Sequence, residues 1–164
     1  MNTRLQVEHP VTEMTSGVDL VKEQIRIAAG EKLSFTQEDI KPKGHAIEIR
    51  VNAEDPKTYM PSPGKITSYH SPGGMGVRVD SAIYTGYTVV PHYDSMIAKL
   101  IVYAENRAEC INKTLVALNE FLVEGIKTNI PMQRKILESE DFQSGNFHTK
   151  YLDSVDLFAD ESCE

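Results

Sequence analysis

The opening residues Met1-Asn2-Thr3-Arg4-Leu5-Gln6-Val7-Glu8-His9-Pro10 place an amide, a guanidinium, a second amide and a carboxylate at alternate positions. In an extended chain, side chains two apart share a face, so Asn2, Arg4, Gln6 and Glu8 would line one side and Leu5 and Val7 the other. A guanidinium forks onto two oxygens of a planar anion, and a carboxylate within reach can take its proton. The set therefore suits gripping a small planar anion and deprotonating it. A solvated terminus of mixed charge has the same composition, and spacing alone does not separate the two. A further cation, Arg50, falls on the alternating stretch Ala46 to Ala53, where Ile47, Ile49 and Val51 oppose Glu48, Arg50 and Asn52. That pattern predicts a half-buried strand with a polar face. Without more information, Arg50 is a surface arginine paired with Glu48 or Asp94. Glu54 and Asp55 read as a loop cap. His9, His45, His70, His92 and His148 show no i, i+4 pairing, and Cys110 and Cys163 fit no metal or redox spacing, so no metal is assigned to them.

These groups need elements to hold them. His9-Pro10 predicts a turn into a short helix through about Thr15, ended by Ser16-Gly17. Asp19 to Ala29 predicts a second helix, with Val21, Ile25 and Ala28 as its apolar stripe and Lys22, Glu23 and Arg26 as a solvated face. Residues 31–43 are polar and mark a boundary. Beyond them, Lys65 to Tyr69, Gly76 to Asp80, Tyr87 to Val90 and Met96 to Tyr103 read as the strands of an antiparallel meander broken by Pro and Gly turns. Asn106 with Glu109 forms a capping box for a helix with Ile111, Leu115, Leu118 and Leu122 on one stripe, ended by Gly125. A short helix follows from Thr128-Asn129, with Ile130, Ile136 and Leu137 as its apolar residues. Helical turns fill 140–152, and 154–164 form an acidic, frayed tail. The expected fold class is α+β.

The chain has 164 residues, enough for one ordinary domain with an appendage. Its net charge of -7, with no run of Lys or Arg, argues against nucleic acid or an anionic membrane as main partner. No apolar run approaches the ~20 residues that span a bilayer, and the first residues do not form a secretory signal. A soluble, cytosolic domain is expected.

Asn2-Thr3-Arg4-Leu5-Gln6-Val7-Glu8-His9-Pro10-Val11-Thr12-Glu13 resembles the signature that closes the ATP-grasp domain of biotin carboxylases, the ATP-dependent parts of acetyl-CoA, propionyl-CoA and pyruvate carboxylases. His45 to Asp55, Pro61 to Ile66, Tyr93 to Ile97 and Gly125 to Asn129 resemble further blocks of that family, in its order and spacing, over about residues 1–152. The resemblance implies three regions: residues 1–43 as the end of an ATP-grasp domain, 44–152 as the C-terminal domain, and 153–164 as a flexible tail. It implies ATP, Mg²⁺ (or Mn²⁺), bicarbonate and carrier-bound biotin as reactants and cofactors. Asn2 would be a ligand of Mg²⁺. Arg4, Gln6 and the backbone of Val7 would hold bicarbonate, with Arg4 also stabilising carboxyphosphate. Glu8 would be the general base, and Arg50 would stabilise enolate-like biotin, oriented by Asp94. Thr149 falls at the family's adenine pocket, and Met75 and Arg78 fall at its homodimer interface. The implied partners are a biotin carboxyl carrier protein or domain and carboxyltransferase subunits or domains. As acetyl-CoA carboxylase, the parent would serve fatty acid biosynthesis. It would be cytoplasmic, or in the mitochondrial matrix or plastid of a eukaryote.

Departures matter too. The glycine-rich phosphate loop, the ATP-contacting lysine and the metal-binding glutamate pair of that family precede the position of Met1. The chain is therefore expected to be a C-terminal fragment, inactive alone because the reactants are not all held together. A non-catalytic interaction or dimerisation module is the rival reading. A carbamoyl-phosphate synthetase-like ligase shares Asn-x-Arg, yet does not account for Glu8-His9-Pro10 or the blocks beyond residue 44.

Overall fold

The fold is built on one long strand pairing. β1 (His45–Asn52) forms where the alternation requires, with Ile47, Ile49 and Val51 buried. β6 (Met96–Ala104) runs antiparallel to it and also to β4 (Val77–Ser81), giving the order β1-β6-β4. This corrects the expected meander, since a late strand inserts between two earlier ones. The reason lies in composition: β6 is buried along most of its length, as a central strand covered on both faces must be. The computed structural model describes residues 1–159; Cys163 and the end of the acidic tail lie outside them.

The two faces of this sheet differ. On one, Ile47, Ile49 and Val51 join Ala98, Leu100, Val102 and Ala104 under α3 (Arg107–Glu120), which contributes Cys110, Ile111, Ala117 and Leu118. On the other, the register aligns Arg50, Lys99 and Asp80 in one cross-strand row and Glu48, Ile101 and Arg78 in the next. Directly paired residues share a face, so these rows form a charged surface around one buried isoleucine. α1 (His9–Ser16) lies across it, touching β1 and β6. Pro10 sits in its first turn, where a missing N–H costs nothing, and is fully buried. Gly17, at φ 75°, ends the helix as expected.

α2 (Leu20–Ala28) is capped by Asp19, whose carboxylate accepts from Lys22 N at 2.8 Å. Its faces differ from those expected, although Lys22 is exposed as expected. Val21 and Ile25 are exposed, whereas Glu23 is 7% exposed and accepts from Arg26 at 2.8 Å and Ser34 at 3.0 Å. A pairing cation and a hydroxyl from the following loop both donate to Oε1, while Oε2 is shielded without a hydrogen-bond partner among the described residues.

α3 begins at the expected cap, where Asn106 Oδ1 accepts from Glu109 N at 3.0 Å; the return bond of the expected box is replaced by one from Asn106 Nδ2 to the Glu109 carboxylate at 2.8 Å. It ends at Glu120 rather than at Gly125. Leu122 leaves the helical stripe because Leu122–Glu124 forms β7, antiparallel to β3 (Ser68–His70). The single strand expected over Lys65 to Tyr69 is also divided. Gly64–Lys65 forms β2 against β5 (Thr88–Val89), and fully buried Ile66 separates it from β3. α4 (Ile130–Glu138) and α5 (Glu140–Ser144) complete an α+β architecture. The acidic end of the chain brings the Phe158 ring to 5.2 Å from Lys57 Nζ and 4.9 Å from Lys135 Nζ. No described helix is long and apolar enough to cross a membrane.

Gly125 has φ 93°, and a Cβ there would stand 2.2 Å from Lys65 O and 2.9 Å from Thr67 N. Both the left-handed backbone and the contact oppose any side chain. Gly125→Ala is expected to destabilise the chain by roughly 1–3 kcal/mol in urea denaturation. A loss below about 0.5 kcal/mol would show that the β2–β3 backbone yields.

Candidate active site

Residues 1–8 are not a strand. They form an irregular segment with a turn at Val7–Glu8, and all but Val7 are exposed. Arg4 Nη1 donates to Leu5 O at 3.0 Å, His9 N donates to Gln6 O at 3.3 Å and Val11 N to Glu8 O at 3.2 Å. The alternation of Asn2, Arg4, Gln6 and Glu8 has no neighbouring strand among the described residues, so local turns satisfy the backbone instead. Those turns carry Glu8 onto the charged face of the sheet. There Arg50 Nη2 donates to Glu8 Oε2 at 2.9 Å, across 42 residues of sequence. The side chains are 52% and 54% exposed, so water screens the pair and a ligand can reach both groups.

Asp94 does not orient Arg50 here. It accepts from Met96 N at 2.8 Å, an Asx turn that starts β6, and Glu8 takes the partner's place. Asn2, Arg4 and Gln6 reach solvent beside Glu8 in sequence. Thr149 is exposed in a turn after α5, and Met75 is 94% exposed ahead of β4. Arg78 is heavily engaged: it donates to Asp80 at 2.7 and 2.8 Å and to Glu13 of α1 at 2.7 Å. The hydrogen bond from Arg78 holds the Asp80 carboxyl below the usual carboxylate range, against the effect of its own burial. Asp55 caps its loop as expected, accepting from Lys57 N at 2.9 Å and Thr58 N at 3.0 Å.

Three residues around this site escape sequence reasoning. Lys99 is 13% exposed, donates to Val7 O at 3.1 Å and lies 3.6 Å from Asp80 Oδ2. A lone lysine within an apolar central strand is the signal for it. Asn129, read from sequence as a helix start, is buried; its Nδ2 donates to Arg50 O at 3.0 Å and its Oδ1 accepts from Asn52 N at 2.9 Å. It satisfies the outer edge of β1 immediately behind Arg50. Glu48 has both carboxylate oxygens shielded and without a hydrogen-bond partner among the described residues. Burial pushes its carboxyl above the usual range, opposed by the positive charges of Lys99 and Arg50.

Magnesium prefers a near-octahedral set of oxygens. Asn2 offers one amide, and among the described residues no group of three or more His, Cys, Asp or Glu could hold a metal ion. These residues do not by themselves make a Mg²⁺ site.

The family described as Biotin carboxylase C-terminal domain matches residues 48–154, and the Carbamoyl-phosphate synthase L chain, ATP binding domain matches residues 1–36. The chain is 65% identical to a biotin carboxylase of Haemophilus influenzae over 153 residues, covering 93% of this chain and 34% of that protein. It is 58% identical to biotin carboxylase 1 of Bacillus subtilis over 158 residues, covering 96% of this chain and 35% of that protein. Among solved structures, the dimeric biotin carboxylase domain of Hydrogenobacter thermophilus 2-oxoglutarate carboxylase, in complex with MgADP and bicarbonate, aligns with a TM-score of 0.91 at 52% identity. That alignment covers 93% of this chain and 34% of the other. The chain belongs to the biotin carboxylase C-terminal domain family and spans about a third of the length of the curated relatives it matches.

The raised Glu48 pKa has a consequence for stability. The folded carboxyl binds its proton more tightly than the unfolded one, so stability falls as pH rises from the unfolded value, about 4.3, through the folded one. Glu48→Gln is expected to raise Tm at pH 7.5, with the gain closing toward pH 4. A lower Tm for the variant at neutral pH would mean that the carboxylate is paired in solution.

Proposed function

We propose that this chain supplies the bicarbonate- and biotin-handling half of a biotin carboxylase site in a longer ATP-dependent ligase. The observation that carries the reading is the 2.9 Å contact between Glu8 and Arg50, which joins the base of the opening signature to the arginine of the strand signature. Arg4 forks onto two bicarbonate oxygens, with Gln6 and the Val7 amide completing the cradle. Glu8 accepts the bicarbonate proton, and the resulting oxyanion attacks the γ-phosphate of ATP to give carboxyphosphate and ADP. Carboxyphosphate then parts into CO₂ and phosphate, the phosphate takes the biotin N1 proton, and N1 attacks CO₂; Arg50, freed from Glu8 when that carboxylate is protonated, faces the negative charge that develops on biotin. Asn2 joins oxygen donors outside this chain at Mg²⁺ or Mn²⁺, and Thr149 borders the adenine.

In this reading residues 1–43 end an ATP-grasp domain, 44–152 form the C-terminal domain and 153–164 are a tail. Partners are a biotin carboxyl carrier protein or domain, carboxyltransferase subunits, and a second copy meeting at Met75 and Arg78. The enzyme works in the cytoplasm or an equivalent organelle compartment, and the final acyl-CoA or keto acid acceptor is set by another domain. The rival reading, an assembly module without catalysis, takes its support from the exposed Met75 beside Arg78.

The test is ATP hydrolysis dependent on biotin and bicarbonate, in this chain alone and in the chain joined to the ATP-binding half that precedes such a region in its relatives. Turnover is expected from the longer form alone. In it, Glu8→Gln should lower kcat about 10²–10⁴-fold, and Arg50→Ala should remove the stimulation by biotin while both proteins remain folded. An inert longer form that still assembles would favour the interaction module.

A further inference from the structure

The opening segment is held down by Lys99. Its Nζ donates to the Val7 carbonyl at 3.1 Å, one residue before the base, from the centre of the sheet. Lys99 is itself fixed from several sides. It stands directly opposite Arg50 on β1 and Asp80 on β4 in the strand register, with Asp80 Oδ2 at 3.6 Å. Asp80 is clamped in turn by Arg78, and Arg78 by Glu13 of α1, whose other carboxylate oxygen accepts from Leu20 N at 3.0 Å. A line of charge-assisted contacts thus runs from the start of α2 through α1 and β4 to Lys99 and ends on the backbone of the proposed bicarbonate loop. By contrast, residues 1–6 are exposed, and the Arg4 contact reaches no further than Leu5.

We propose that Lys99 is a positioning residue for bicarbonate, setting the height of the Val7–Glu8 turn above the sheet through its bond to the Val7 carbonyl. The inference rests on the bicarbonate reading above. A Val7 carbonyl bound to Lys99 orients its own peptide and the amide on either side of it. The Val7 amide and the Glu8 carboxylate then face the anion together, with Arg50 in the adjoining strand position. The ammonium also adds positive charge beneath an anion site without touching the anion. An arginine at position 99 keeps the donor and the charge; a methionine keeps the length and loses both.

Two measurements test this. In the longer ligase, Lys99→Met is expected to raise KM for bicarbonate about tenfold, the scale of one charge-assisted hydrogen bond. KM for ATP should stay within about twofold, since no part of this contact faces ATP. Lys99→Arg should recover most of the loss. In the chain itself, backbone hydrogen exchange over residues 5–9 should speed up in Lys99→Met while β1 and β6 keep their protection. The proposal is overturned if KM for bicarbonate is unchanged, if kcat falls with KM for bicarbonate and ATP alike unmoved, or if exchange at 5–9 does not change. Wild-type ligase without bicarbonate-dependent turnover would sink the enzymatic reading instead. Exchange at 5–9 would then decide the positioning claim alone.

Discussion

The register of β1 against β6 is the constraint on which the rest depends. It sets Arg50 directly opposite Lys99, a like-charge pair that by itself weakens an antiparallel ladder. The sheet tolerates the pair because each cation has its own anion from elsewhere: Glu8 on Arg50, and Asp80 on Lys99. A slip of β1 by one residue would turn Ile49 toward α1 and bury Arg50 against α3, which the apolar face forbids. Hydrophobic burial beneath α3 thus locks the pairing, and the locked pairing sets two cations side by side on the face that α1 crosses.

The anions that balance this charge differ in how firmly they are held. Asp80 and Glu13 are better covered than Glu8 and grip Arg78 at 2.7 Å, forming a structural brace that docks α1 on the sheet. Glu8 is half exposed and meets a half-exposed arginine. Exposed pairs contribute about 0–1 kcal/mol, so this contact opens readily when a ligand enters. The brace is stiff behind the site, and the pair at its mouth is loose.

Much of this was legible in the sequence. The alternation around Arg50 gave β1, the Asn106 cap gave the start of α3, and His9-Pro10 with Gly17 bounded α1. Other features failed for physical reasons. Meander order failed because strand position depends on which segment can be buried on both faces, and β6 alone of the sheet's strands met that condition through most of its length. The α2 stripe failed because Arg26 and the Ser34 hydroxyl gather on Glu23, which turns that side inward and leaves Val21 and Ile25 exposed. Leu122 was assigned to a helix since its spacing fits one, whereas pairing with β3 claimed it. The site residues proved harder: Glu8 and Arg50 could be nominated, but not their contact. Lys99 and Asn129 act through backbone groups; a lone lysine in an apolar strand marks the first, and no side-chain pattern marks the contacts of either.

Asn129 shows how such a contribution arises. β1 is an edge strand of its sheet, and its outer backbone groups at Arg50 and Asn52 have no strand neighbour. A buried amide supplies the acceptor and donor that a neighbouring strand would have supplied, from a segment 77 positions away from Asn52. Leaving those groups unpaired would cost about 1–3 kcal/mol each and free the strand end to twist. With Asn129 in place, the backbone carrying Arg50 is fixed from behind while its guanidinium stays exposed in front. On the proposed reading Arg50 exchanges Glu8 for biotin, and such an exchange needs a mobile tip on an immobile root. Asn129 and Lys99 fix the two roots, under Arg50 and under Glu8.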